Sequence, residues 1–196
     1  MTVKPDLAAL LGSRICHDLI SPIGAIGNGV ELMAMEGAAG SAEMSLIAES
    51  VAHATAKIRF FRLALGAAPG EHMIERAEVQ QVLADSTTGT RLQIALNAPA
   101  RLPRASVKLA LLLVMCLESA MPFGGAIEIT QGEERWTILG RAERLRIEPA
   151  LWGHLTDGGG DLSPMQVQFA LVREELQRQH RRLTTEITET LVRFTF

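Results

Sequence analysis

In the stretch SRICHDLISPIGAIGNGVELM a histidine and an acid stand side by side, His17 and Asp18, with Pro22 five positions past the histidine and Gly24, Gly27 and Gly29 beyond it. Metal ligation does not fit this pattern. Two ligands on one helix face need a spacing of three or four, and the residues at those spacings from His17 are Ser13, Arg14, Ile20 and Ser21. A Cys16–His17 nucleophilic pair fails as well, because adjacent helical residues diverge by about 100°. Direct attack by the imidazole remains. With an ordinary pKa of about 6.5, histidine is largely neutral at cytosolic pH and offers a bare ring nitrogen without help from a base. Asp18 is placed to hydrogen-bond the other ring nitrogen and fix the tautomer, which makes His17 and Asp18 the candidate catalytic pair. Arg14, one turn earlier, is either a screen for a newly acquired phosphoryl charge or half of an ordinary surface ion pair.

The element carrying these residues is a helix. From Asp6 to about Glu36, apolar residues recur at Leu11, Ile15, Leu19, Ile23, Ile26, Val30 and Met33, a spacing that paints one stripe. Because Ile15 and Leu19 lie on that stripe, His17 points to the opposite, wet side, in a polar column with Ser13, Arg14, Ser21 and Asn28. A proline inside a helix costs on the order of 3 kcal/mol and each glycine about 0.5 to 1 kcal/mol, so stability alone does not account for this segment. Side chains stripped at Gly24, Gly27 and Gly29 allow another protein's backbone to approach, and the segment reads as a docking surface; close helix packing is the competing use, for Gly27 above all. Arg14, Ser21, Gly24 and Asn28 are the expected partner contacts.

GAAGSAE interrupts the pattern, with Ser41 in position to cap a second helix whose stripe runs Met44, Ile47, Val51, Thr55, Ile58, Arg62 and Leu65. Two long helices joined by a short turn form an antiparallel hairpin, and one hairpin cannot bury both stripes. A homodimer completing a four-helix bundle is the expected solution, the alternative being that the hairpin packs on its own C-terminal half. GAAPGEH, residues 66–72, reads as a linker, dividing the chain into a hairpin over 1–67 and a mixed unit over 68–196. In the second unit the pattern predicts a helix near Glu75–Ala84, a strand at RLQIAL, and a helix from Ala105 to Met121 stopped by Pro122, Gly124 and Gly125. A hairpin of AIEIT with RWTILG, a helix capped by Ser163 and Pro164 and running to Gln179, and paired strands LTTEIT and LVRFTF complete it.

Composition narrows the function classes. A net charge of −3, no tyrosine and 4% aromatic residues argue against a nucleic-acid surface. The longest apolar run, Leu109–Leu117, is far shorter than the roughly 20 residues of a membrane span, and no signal peptide opens the chain, so no membrane association and a cytoplasmic location are expected. Cys16 and Cys116 are too few for a disulfide framework.

The order His, acid, three residues, proline in HDLISP resembles the phospho-acceptor box of histidine kinase dimerisation domains, and SRICHDLISPIGAIGNGVELM is similar to the opening of the ChpT-type histidine phosphotransferases. That resemblance implies an α+β protein: an N-terminal antiparallel helical hairpin forming a dimeric four-helix bundle, and a C-terminal α/β sandwich like a degenerate histidine kinase ATP-binding domain. It implies that His17 relays a phosphoryl group between the receiver-domain aspartate of a hybrid histidine kinase and response regulators. It also implies that the chain holds no cofactor of its own, Mg2+ and a lysine coming from the partner receiver domain.

Autokinase activity is not expected. Glu118, Ser119 and Ala120 stand where a kinase would carry its magnesium-binding Asn-Ala pair, and the Asp157–Asp161 stretch DGGGD ends in an acid where the adenine loop needs glycine, so it reads as a turn. Ser163-Pro164 follows at once, leaving no room for a phosphate lid. Ser21, four positions past His17, departs from the Thr or Asn that kinases use for dephosphorylation. The alternatives are an ATP-dependent histidine kinase and a non-enzymatic dimeric adaptor for response regulators. His53, His72, His154 and His180 have no partner at useful spacing and are assigned no role.

Overall fold

The computed structural model describes residues 7–36, 41–68, 71–132, 135–156 and 161–196. Two long helices, α1 (Leu7–Glu36) and α2 (Ser41–Ala64), lie against each other at the N-terminal end, and Pro22 is accommodated within α1. The GAAGSAE break and the Ser41 cap fall outside the described residues and side chains.

The remainder is a mixed sheet with helices on it. A short antiparallel ladder joins β1 (Met73–Glu75) to β3 (Arg101–Pro103), flanking α3 (Arg76–Thr87). The main sheet contains β2 (Leu92–Asn97), β4 (Gly125–Gln131), β5 (Trp136–Arg141), β6 (Thr184–Ile187) and β7 (Leu191–Thr195), in the order β2-β4-β5-β7-β6. Only β2 and β4 are parallel, and α4 (Arg104–Ala120) supplies the crossover between them. Two short helical segments follow, α5 (Pro149–Trp152) and a 3-10 turn at Gly153–Leu155. Then Ser163 and Pro164 open a 3-10 turn that runs into α6 (Val167–Arg178). The Gln166 side-chain oxygen accepts hydrogen bonds from the Ser163 N–H at 3.1 Å and its hydroxyl at 3.0 Å, as the cap signal anticipates. α6 ends at Arg178, and His180, exposed two residues further on, takes φ 52°.

The apolar run at 109–117 is the centre of the core: α4 packs against β4, β5, α6 and α2, so it is buried nearly all round, with Leu109, Leu111, Leu112, Leu113 and Leu117 at 0% exposure. Each such leucine contributes about 1.5–3 kcal/mol relative to an exposed one. Facing α4 are Ile127, Ile129, Ile138, Val192 and Phe194 on the inner side of the sheet, with Trp152 stacked on Phe194. At its end the chain turns sharply into β4. Gly124 takes φ +93°, and a Cβ there would lie 2.4 Å from the Arg91 carbonyl oxygen, so only glycine fits.

The hairpin is docked on this body at one end. Phe60, Phe61, Leu63 and Ala64 of α2 belong to the same hydrophobic core as the sheet, and Ile15 of α1 packs against it. Arg104 donates to the Arg62 carbonyl at 3.0 Å, satisfying one of the last acceptors of α2. The single hairpin leaves part of each stripe uncovered. Ile23 and Val30 are exposed at 59% and 54%, as are Met44, Val51 and Ile58 on α2, because the contact between the helices is narrower than the apolar arc each carries. Gly29, expected on a docking surface, is buried, whereas Gly27 is exposed with open space where a side chain would stand.

Candidate functional site

His17 stands near the middle of α1 with its side chain 68% exposed. The Nδ1 atom lies 3.2 Å from Oδ1 of Asp18. Asp18 itself is covered, with 9% of its side chain exposed, and its second oxygen accepts a hydrogen bond from Nε of Arg14 at 2.9 Å. A carboxylate only accepts, so as a hydrogen bond this contact has the proton on Nδ1, and Nε2 is then the ring nitrogen with the lone pair. This is the arrangement a nitrogen nucleophile needs.

Ser21, Gly24 and Asn28 are exposed on the same side of α1 as His17. A Cβ at Gly24 would meet nothing within 4 Å, so there is open space over that turn of the helix. Arg14 is placed differently from the expectation of a partner contact. Its side chain is only 12% exposed and turns inward, donating through Nη1 to the Met165 carbonyl at 2.6 Å and to Oε1 of Gln168 at 3.5 Å.

Two hollows flank this group. One, of about 340 Å³, lies between α1, α2 and the end of α3, and its walls include Asp18, Ser21, His53, Lys57, Asp85 and Thr88. The other, of about 350 Å³, lies between α1, the end of α4 and the start of α6, with Arg14, Glu118, Arg146, Trp152 and Gln168 among its walls. Sequence spacing gave no sign of Lys57, His53 or Gln168 near the histidine, since each comes from another element. Among the described residues no three His, Cys, Asp or Glu side chains converge as ligands for a metal ion. The DGGGD residues 157–160 lie outside the described set.

Glu118 is the part-buried acid of the region, on the wall of the second hollow. Burial pushes its carboxyl pKa upward; Lys57 and Arg14 pull it down and the Asp18 charge adds a smaller upward push. A carboxyl whose folded pKa is raised holds more protons folded than unfolded, so its contribution to stability is present in acid. It is lost as pH rises from the ordinary carboxyl range through the folded value. Glu118→Gln should therefore be more stable than the parent chain at pH 8 and show no such advantage near pH 4, measured by urea unfolding across that range.

Comparison with known proteins adds three findings. The family model for the histidine phosphotransferase C-terminal domain matches residues 76–191. Protein phosphotransferase ChpT of Brucella abortus (strain 2308) is 37% identical over 150 residues, spanning 74% of this chain and 71% of that protein. A 1.7 Å structure of a bacterial phosphotransferase superposes with a TM-score of 0.83 at 31% identity, covering 100% of this chain and 98% of the other.

Proposed function

This chain belongs to the histidine phosphotransferase family and is a phosphotransfer enzyme of a phosphorelay, and from that premise we propose that His17 is the residue that carries the phosphoryl group. One observation supports this above the rest: the ring is exposed, Nδ1 is tied to Asp18, and Nε2 is free.

The donor is the aspartyl phosphate of a receiver domain, that of a hybrid histidine kinase. The Nε2 lone pair attacks phosphorus in line, the N–P bond forms, and the acyl P–O bond breaks with its electron pair leaving on the donor carboxylate. The Nδ1 proton stays on the ring, and the Asp18 carboxylate offsets the positive charge the imidazole acquires. The reverse step delivers the group to the aspartate of a response regulator. Mg2+ and a lysine from the receiver stabilise the transferring charge, so this chain contributes alignment. Ser21, Gly24 and Asn28 form the floor on which the receiver rests.

The chain acts as a homodimer. Ile20, Ile23 and Val30 of α1, and Met44, Val51 and Ile58 of α2, are all more than 45% exposed in the single chain, an apolar area of the kind a second hairpin covers. Residues 68–196 serve as a degenerate ATP-binding-type unit and scaffold beside the hairpin of 1–67. Glu118, Ser119 and Ala120 stand where a kinase carries its magnesium-binding Asn-Ala pair, and ATP is therefore not the donor. No helix among the described residues is long and apolar enough to cross a membrane, which fits a cytoplasmic relay.

The test is to incubate the protein with a receiver domain carrying labelled aspartyl phosphate and, separately, with γ-labelled ATP. Label that is stable in alkali and lost in acid, arriving from the receiver alone, is the expected result. Label from ATP, or none from either donor, overturns the reading.

A further inference from the structure

We propose that Arg14 is a positioning residue for the phosphotransfer histidine, tying the Asp18 carboxylate that orients His17 to the start of α6. This rests on the reading of His17 as phosphoryl acceptor. Neighbouring residues on a helix diverge by about 100°, so Asp18 meets Nδ1 of His17 only when its carboxylate is swung toward the ring. Arg14 does the swinging: Nε holds Oδ2 at 2.9 Å, which leaves Oδ1 aimed at the imidazole.

An exposed arginine one turn away would hold that carboxylate weakly, since solvent screens such pairs. Arg14 is not such a residue. Its guanidinium is also fastened by Nη1 to the Met165 carbonyl at 2.6 Å, and Oε1 of Gln168, a residue 1% exposed, lies at 3.5 Å. The planar fork serves both sides at once, which a lysine ammonium on a flexible stem does not reproduce. Lys57 lines the same hollow as Asp18 and offers a competing cation. Without Arg14 the carboxylate is free to turn toward it, and the ring then loses its Nδ1 acceptor. The placement of the nucleophile is thus set jointly by α1 and by residues about 150 positions later in the chain.

The experiment uses the full chain, labelled with 15N-histidine, as parent, Arg14→Ala, Arg14→Lys and Asp18→Asn; the His17 ring signals are assigned by their loss in His17→Ala. NMR reads which ring nitrogen bears the proton, and transfer from a phosphorylated receiver is followed across receiver concentrations. Arg14→Ala should shift the His17 tautomer in the same direction as Asp18→Asn. It should also lower the maximal transfer rate about ten- to a hundredfold with little change in the half-saturating receiver concentration, and Arg14→Lys should restore neither. If Arg14→Ala loses its helical circular dichroism, the same readings are taken on Arg14→Lys and decide the matter. An unchanged tautomer and maximal rate overturn the proposal, as does a change in half-saturation alone, which would make Arg14 a receiver contact. Phosphoryl uptake by His17→Ala would instead defeat the reading of the histidine itself.

Discussion

His17→Ala takes up no phosphoryl group from a phosphorylated receiver: transfer is expected to fall by at least about 10³-fold, the scale seen when a nucleophile is deleted from a site that acts as a unit. His17→Gln, which keeps a polar side chain of similar reach, should fall equally, because an amide nitrogen has its lone pair delocalised and does not attack phosphorus. Neither change should disturb the fold. The side chain is 68% exposed, and surface substitutions of this kind usually alter stability by no more than about 0.5 kcal/mol. A rate loss with an unchanged melting temperature therefore reports chemistry. Label that still arrives at the parental rate would place the acceptor elsewhere. His53, in the hollow beside Asp18, would be the next residue to replace.

The double substitution Ile23→Asp with Val51→Asp should convert a dimer into a monomer, with at least a hundredfold rise in the dissociation constant. Both residues are exposed in the single chain, at 59% and 46%, so the carboxylates are solvated in the monomer and unpaired only when two hairpins meet. A dimer would bury four such charges, each at several kcal/mol, while every tenfold in affinity corresponds to about 1.4 kcal/mol. Light scattering during size exclusion reads the outcome directly: twice the chain mass for the parent and one chain mass for the variant, both with full helical circular dichroism. A parent that elutes as a single chain at micromolar concentration would remove the four-helix bundle from the account.

Much of this molecule can be read from residue spacing, and the parts that cannot share a cause. The stripe on α1, the buried run of α4, the alternating strands of the main sheet and the Ser163-Pro164 start are local patterns, and each produced its element within a few residues. The ladder of β1 and β3 escaped because three residues do not establish an alternation. The parallel pairing of β2 with β4 depends on where the α4 crossover lands, which no single strand encodes. Periodicity also names a face without saying what covers it, so the stripe that joins Ile23 and Val30 to Leu19 and Ile26 does not reveal that the first two are left uncovered within the single chain. At the site, His17 and Asp18 were visible as neighbours. The inward turn of Arg14 was not, since its acceptors at Met165 and Gln168 are set by tertiary packing. The matched family region begins at residue 76, beyond the motif in α1, so that match is a support separate from the motif.

The lower end of α2 shares its aromatic residues, Phe60 and Phe61, with the interior built by α4 and the sheet. Loosening that interior anywhere, by a truncated leucine or a strained turn, also loosens the footing of the helix pair. The imidazole is thus presented on a lever whose fulcrum lies in the sheet, and damage remote from the phosphorus chemistry still reaches it through the tilt of the pair.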